Sequence, residues 1–310
     1  MMSGTPSPSL REGDVQSAPR KLAEIFWVYL RLGCTSFGGP VAHLGYFRAE
    51  LVEKRRWLSE AAFADLVALC QFMPGPASSQ TGMAIGLLRG GPAGMILAWL
   101  AFTLPSALAM ALFAYGVTAL GDLSGAGWLH GLKLVAVAVV AQAVWGMAKT
   151  LAPDRERATL AILACLVCLA QPTSLGQVAA IVLGALAGIL VLPREAPGTF
   201  PDAALNVRIP RGLAVALLAL FFALLVVLPW AADASGVHAA QLFNGFYRAG
   251  SLVFGGGHVV LPLLQSLVVP SGWVSQDVFL AGYGATQAMP GPVFTFAAFL
   301  GSVEAPGPNG

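Results

Sequence analysis

The chain has 310 residues, of which 57% are hydrophobic and 10% are charged, and its formal net charge is +2. A soluble domain carries about a quarter charged residues, and so small a net charge gives no reason to expect binding to nucleic acid. Because the apolar residues form uncharged runs long enough to cross a bilayer, the composition predicts an integral membrane protein with the lipid bilayer as its partner.

Residues 1–21 form a polar stretch that lacks the apolar core of a signal peptide, and we expect a cytoplasmic N-terminal tail there. The helical pattern that follows is broken by Gly33, by the pair Gly38-Gly39 and by Pro40. Lipid cannot satisfy the backbone groups that such breaks release. We therefore predict a broken helix at this point rather than a simple membrane span.

A second interrupted region follows a charged loop. Residues 61–73 and 77–88 are short apolar segments on either side of Pro74-Gly75-Pro76. Each segment is too short to cross a bilayer alone. Together they predict a re-entrant helical hairpin.

Ordinary apolar segments then follow, each of a composition typical of a membrane span. They cover residues 92–117, 131–147, 158–170, 177–192 and 213–230. We divide the chain into a first transporter repeat over residues 22–192, a linker with one odd span over 193–240, and a second, incomplete repeat over 241–310.

The division rests on motifs that recur in the same order. The first copy contains Arg31-Leu32-Gly33, Phe37-Gly38-Gly39, Trp57-Leu58-Ser59 and Gln71-Phe72-Met73-Pro74-Gly75-Pro76. The second contains Arg248-Ala249-Gly250, Phe254-Gly255-Gly256, Trp273-Val274-Ser275 and Gln287-Ala288-Met289-Pro290-Gly291-Pro292. The early motifs match at an offset of 217 residues and the later ones at 216. This order indicates an internal duplication.

The distribution of basic residues predicts that the two copies have opposite orientations. Five predicted spans separate them, and an odd number places the second copy's start on the other side of the membrane. The first copy's connecting loop holds Lys54, Arg55 and Arg56, whereas the matching residues 265–276 contain no Lys or Arg. Because basic loops stay in the cytoplasm, the asymmetry predicts an inverted repeat.

Broken helices in matching places of an inverted repeat indicate a transporter's binding site. A half-helix that starts inside the membrane presents unpaired N–H groups and a partial positive charge, which suit an anion. A buried Arg is expensive in a bilayer and so marks a functional site. The candidate substrate-binding residues are Arg31, Ser36, Gly38, Gly39, His43, Pro74, Gly75, Pro76, Gln80, Arg248, Gly255, Gly256, Gly257, His258, Pro290, Gly291 and Pro292.

Several of these residues have alternative interpretations. Arg31 and Arg248 lie near predicted helix ends, from which their side chains could instead extend to the membrane–water interface. His43 and His258 are offset by two positions in the repeat alignment, which weakens a shared role. Gln80 suits capping of a helix start and anion contact equally well.

Enzyme signatures are missing from the sequence. There is no phosphate-binding loop of the form G-x-x-x-x-G-K-[ST] and no H-E-x-x-H zinc motif. Cys165 and Cys168 lie in an apolar run without a second ligand pair, so we predict buried small hydrophobic residues there. We expect no enzyme activity, no cofactor and no metal site, and transport powered by an ion gradient.

At its repeated motifs the chain resembles the chromate ion transporter family. The resemblance rests on Phe37-Gly38-Gly39-Pro40 with His43, on the Met-Pro-Gly-Pro turns of both copies, and on Phe254-Gly255-Gly256-Gly257-His258. It covers residues 26–301 and implies an inner-membrane exporter of chromate that confers chromate resistance, with sulfate as a look-alike anion. Family members are typically longer, so we expect this chain to be truncated at its C-terminus.

These inferences predict an all-α integral membrane protein with an inverted-topology repeat and broken or re-entrant helices. Its expected function is that of a multi-pass secondary transporter in the cell inner membrane, exporting chromate by alternating access. The alternatives are uptake or exchange of sulfate or another oxyanion, and a non-transporting membrane scaffold. A homodimer is compatible with the sequence.

Overall fold

The computed structural model describes residues 18–119, 127–171, 174–192, 209–253 and 260–304, and within these ranges the regular structure is entirely helical. The α-helices of the described ranges are α1 (Ala18–Thr35), α2 (Gly39–Phe47), α3 (Glu60–Phe72), α4 (Ala77–Ala119), α5 (Gly127–Leu151), α6 (Arg155–Ala170), α7 (Ser174–Val191), α8 (Arg211–Ser235), α9 (His238–Ser251), α10 (Val260–Val268), α11 (Gln276–Ala288) and α12 (Phe296–Val303). A π-helical segment, Arg48–Lys54, extends α2, and a 3-10 turn, Val293–Thr295, precedes α12. The predicted all-α class is confirmed for the described residues.

The described residues contain two hydrophobic cores, and α4 contributes to both. The first core packs the inner face of α1 against α2, α3 and the first two thirds of α4. The second packs α9 to α12 against the end of α4, where Met110 and Ala114 are fully buried. Phe113 of α4 also stacks on Phe299 of α12, with ring centroids 5.7 Å apart. Residues of α4 therefore contact both predicted repeats.

Helix α4 is interrupted between the predicted hairpin arm and the predicted span. Gly90 and Gly91 have non-helical backbone angles, with φ of −134° and +65°. On either side, Gly86 and Gly94 approach so closely that a Cβ on one would lie about 2.5 Å from the carbonyl oxygen of the other. Residues eight apart in a straight helix lie about 12 Å from each other, so the chain reverses direction here. The prediction of two separate helices is confirmed.

The second hairpin repeats the local structure of the first. Helix α11 has the same length as α3 and starts 216 residues later. Each helix begins with a serine cap, in which the Ser59 hydroxyl accepts from the Ala62 N–H (3.2 Å) and the Ser275 hydroxyl accepts from the Val278 N–H (3.4 Å). A serine side chain satisfies one of the donors that a helix start leaves unpaired. The Trp-x-Ser motif is thus the start signal of both helices.

Helices α5 to α8 lie where spans were predicted and expose much of their apolar surface. In the described part of the chain, α4 and α8 are long and apolar enough to cross a membrane. Large side chains of α8 such as Phe222 and Trp230 are more than half exposed, as expected of a lipid-facing helix.

The prediction that Cys165 and Cys168 are buried was wrong, because Cys165 is exposed and Cys168 is partly exposed.

Candidate functional site

Both Pro-Gly-Pro turns separate two helices. Pro74-Gly75-Pro76 joins α3 to α4, and Pro290-Gly291-Pro292 joins α11 to the 3-10 turn before α12. The central glycine has a positive φ in each turn, +117° at Gly75 and +96° at Gly291, which residues with a side chain rarely adopt. The new helical segments begin at Ala77 and Val293, as the sequence predicted.

Each turn is hydrogen-bonded to the other repeat. The Gly75 N–H donates to the Val253 carbonyl (2.7 Å), and the Gly291 N–H donates to the Ser36 carbonyl (2.9 Å). Ser36 and Val253 are equivalent positions, since each directly precedes a Phe-Gly-Gly motif. The two hydrogen bonds are therefore equivalent in the repeat alignment. The prolines on either side of each glycine have no N–H, so the glycine N–H is the only backbone donor within each Pro-Gly-Pro turn.

Two polar side chains are buried without a partner at one of these crossings. Ser36 is 0% exposed and His43 is 1% exposed. The Ser36 hydroxyl and both ring nitrogens of His43 make no hydrogen bond to the described residues, although the His43 ring lies beside the Ser36 backbone. Phe102 of α4 packs edge-on against that ring, 5.4 Å between centroids. Buried polar groups are normally hydrogen-bonded, so these two side chains are unusual within the described residues.

Helix α4 completes this region with residues outside the repeated motifs. A Cβ on Gly291 would lie 2.6 Å from the Ser106 hydroxyl oxygen, so the turn rests directly on α4. Ser106 is buried and its hydroxyl donates to the Thr103 carbonyl (3.1 Å). The Thr103 hydroxyl is itself buried without a partner among the described residues. We call Ser36, His43, Ser106 and Gly291 the Ser36 cluster.

Repeat matching did not identify Ser106 and Thr103. Both residues lie outside the repeated motifs. The available signal was chemical, because hydroxyl side chains inside an apolar span tend to pack between helices. Thr103 and Ser106 are three residues apart and so share one face of α4.

The remaining predicted residues of the first copy lie around this cluster. Gly38 and Gly39 have positive φ, +95° and +75°, and break the chain between α1 and α2. The Gln80 side chain folds back over its own turn, where its amide donates to the Pro74 carbonyl (2.7 Å). Its amide oxygen is buried without a partner among the described residues. Gln80 therefore holds the turn together and retains one free acceptor.

Arg31 and Arg248 do not join the Ser36 cluster. Both side chains are exposed, Arg31 on α1 and Arg248 on α9. Five residues at about 100° each turn Arg31 away from Ser36 by roughly 140° around the helix axis. In the second copy, Gly255, Gly256, Gly257 and His258 lie outside the described residues. Pro290 and Pro292 flank Gly291 at the cluster itself.

A family model described as "Chromate transporter" matches residues 23–189 and 240–310. The chain belongs to the chromate transporter family. Chromate transporters are membrane proteins, which agrees with the apolar surface of α8. No solved structure matches the chain.

Individual relatives support the assignment. A chromate transport protein of Pseudomonas aeruginosa is 30% identical over 94% of this chain and 68% of its own length. One from Cupriavidus metallidurans is 28% identical over 98% of this chain and 73% of its own length. An uncharacterised transporter of Methanocaldococcus jannaschii is 24% identical over 90% of this chain and 68% of its own length.

Proposed function

We propose that the chain is a secondary transporter that moves chromate out of the cytoplasm through a multi-pass fold in the inner membrane and thereby confers chromate resistance. Its family and its relatives named as chromate transport proteins support chromate as the substrate. Chromate is a tetrahedral dianion, so the site must offer several hydrogen-bond donors to one small ligand. Outward direction is the part of the proposal that experiment must decide.

The observation that carries the proposal is the pair of unsatisfied buried side chains in the Ser36 cluster. A buried polar group without a partner costs about 1–3 kcal/mol. A protein tolerates this cost at a binding site, because the bound ligand supplies the missing hydrogen bonds. The Ser36 hydroxyl and a protonated ring nitrogen of His43 would donate to oxyanion oxygens, next to the start of the second half-helix at Val293. These donors are uncharged groups, which suits an anion that must also leave.

The crossed hydrogen bonds at Gly75 and Gly291 support an inverted repeat with alternating access. Each hairpin turn is bonded to the broken helix of the other copy, so a movement of one copy against the other changes both contacts. We propose that the anion at the Ser36 cluster is exposed to one side when one contact opens and to the other side when its counterpart opens. Transporters of this kind move one repeat around a fixed site.

Arg31 and Arg248 retain a proposed role as charge partners, at a distance from the cluster. Their exposed guanidinium groups would raise the local concentration of anions at an entrance rather than bind the anion in its buried position. A substitution there should raise the chromate concentration needed for half-maximal transport. A substitution in the cluster should lower the maximal rate as well.

The test is chromate accumulation in chromate-sensitive bacterial cells that express the chain, its Ser36→Ala variant or its Ser302→Ala variant. Ser302 is the matched control, since its buried hydroxyl already donates to the Ala298 carbonyl (2.8 Å). We expect the wild-type chain and Ser302→Ala to lower accumulation, and Ser36→Ala to lose most of that effect.

Sulfate in the medium separates the alternatives. Export of chromate with weak competition from external sulfate supports the proposal, whereas raised accumulation that sulfate suppresses indicates uptake of sulfate-like anions. In the contrary case, cells that express the wild-type chain accumulate as much chromate as cells without it, although the protein is shown to be in the membrane. That result would contradict transport by this chain. Equal activity of Ser36→Ala and wild type would remove the Ser36 cluster from the path.

A further inference from the structure

Helix α11 of the second repeat is covered on a face that its counterpart α3 leaves exposed. Ala281, Gly284 and Ala285 are spaced three and four residues apart, so they share one side of α11, and all three are buried. Helix α5 packs along α11. The approach is close, since a Cβ on Gly284 would overlap the Leu132 backbone carbonyl of α5. The small residues of α11 thus allow a helix–helix contact with a predicted span.

The equivalent face of α3 is open. The offset of 216 residues aligns Asp65, Ala68 and Leu69 with the three buried residues of α11. Ala68 is exposed, Leu69 is 51% exposed and Asp65 is half-buried. Phe72, which is 84% exposed, and Met73 continue the same surface toward the Pro-Gly-Pro turn. We call these five residues the α3 face.

The two helices bury the same inner side. Phe63 and Leu66 of α3 are buried in the first core, where α3 contacts α4 and the π-helical segment. Their counterparts Phe279 and Gly282 of α11 are buried as well. The difference is therefore confined to the outer side, where α11 has α5 against it and α3 has no equivalent helix among the residues that the structure describes.

We propose that the α3 face is the docking site of a membrane-spanning helix of the α5 type, carried by a partner polypeptide. The internal duplication supports this occupant, because the matching face of α11 is packed against α5. Helices in lipid associate through close packing of small residues and through interhelical hydrogen bonds, rather than through apolar surface alone. Ala68 supplies the small residue, since it stands where Gly284 meets α5.

Asp65 sets a second requirement on the partner helix. The equivalent residue of α11 is Ala281, so the contact with α5 involves no carboxylate at this position. A carboxylate on a membrane-embedded face is costly unless a partner neutralises it. The partner helix should therefore present Lys, Arg or another hydrogen-bond donor at the level of Asp65. Helix α5 itself has Lys133 next to Leu132, the residue that meets Gly284.

The experiment measures the binding of a fluorescent synthetic peptide to the purified full chain in detergent, followed by fluorescence anisotropy. The probe has the sequence of α5, Gly127–Leu151, and the control peptide has that of α8, Arg211–Ser235, which is apolar and has the same 25 residues of length. We expect anisotropy to rise saturably with chain concentration for the α5 peptide. The α8 peptide should show no saturable binding.

Variants of the chain locate the bound peptide. Ala68→Trp should weaken binding by about tenfold or more, because an extra bulky group in a packed interface is costly. Asp65→Asn should weaken it less, since the amide still accepts a hydrogen bond. Ala161→Trp is the matched control, an exposed alanine of α6, and should bind the peptide like the wild type. Both tryptophan variants should keep the wild-type Tm, because both alanines are exposed.

Three results would overturn the proposal. The first is equal binding of the two peptides, or no binding of either. The second is binding of the α5 peptide that survives both Ala68→Trp and Asp65→Asn, which would place the peptide on α11 in exchange for the chain's own α5. The third is a wild-type dimer in light scattering that Ala68→Trp converts to a monomer, which would assign the α3 face to a second copy of the chain. Anion transport enters none of these measurements.

Discussion

The packing of α1 on α4 predicts opposite effects of one substitution at two equivalent positions. Gly33 in α1 and Gly250 in α9 are 217 residues apart and occupy the same place in the repeated Arg-x-Gly motif. A Cβ on Gly33 would lie 2.6 Å from the Phe102 carbonyl oxygen and 2.9 Å from that of Ala101, both backbone atoms of α4. A Cβ on Gly250 would have no neighbour within 4 Å among the residues that the structure describes.

The magnitudes follow from these distances. Replacing a helical glycine by alanine stabilises by about 0.5–1 kcal/mol when space allows, so Gly250→Ala should be neutral or slightly stabilising. At Gly33 the same gain applies, but the backbone of α4 cannot rotate away from the new methyl group, and forcing it into a packed interface costs about 1–3 kcal/mol. The two variants should therefore differ by about 1–3 kcal/mol, with Gly33→Ala the less stable.

The assay is thermal unfolding of both variants and the wild type in the same detergent, followed by loss of helical circular dichroism. Gly33→Ala should unfold several degrees below the wild type, and Gly250→Ala at or above it. Equal Tm values for the two variants would refute the close approach of α1 to α4 at Gly33. A lower Tm for Gly250→Ala would show that α9 has a neighbour at that face.

Two further stability predictions use single hydrogen bonds. Ser59→Ala and Ser275→Ala should each lower the free energy of unfolding by about 1 kcal/mol, because each removes the serine cap of an equivalent helix. Chemical unfolding of both variants should give similar losses. A loss confined to one variant would show that the two hairpins are held differently. Tyr29→Phe should lower the free energy of unfolding by about 1 kcal/mol and leave anion transport unchanged, since the buried Tyr29 hydroxyl donates to the Gly82 carbonyl (2.8 Å) within the first core. A transport defect without loss of stability would place Tyr29 on the anion's path.

The sequence predicted local structure well where the determinants are local. The Pro-Gly-Pro turns and the glycine pair act on their immediate neighbours, so they located the break after α1 and the turn after α3. The serine caps of α3 and α11 were not predicted. Glycine at position 91 likewise marks the end of the hairpin arm, because its φ of +65° suits glycine.

Features that depend on contacts across the chain could not be predicted in the same way. The hydrogen bonds from Gly75 to Val253 and from Gly291 to Ser36 join residues of opposite repeats, and no spacing rule relates them. Arg31 was expected near the anion because it lies close to the glycine pair in sequence, but the helical turn directs it to the surface. The contact between His238 and Glu304 was not predicted, because neither residue stands at the position equivalent to Glu24 or Arg89.

The central claim is that the chain moves an oxyanion through the Ser36 cluster, and flux in a purified system tests it most directly. The chain and its Ser36→Ala variant would be reconstituted in liposomes loaded with radiolabelled chromate, and the release of label would be followed beside protein-free liposomes. We predict saturable release by the wild-type chain, lower release by Ser36→Ala, and slower release when sulfate is loaded into the liposomes together with the chromate. Release by the wild-type chain no faster than from protein-free liposomes would contradict the claim.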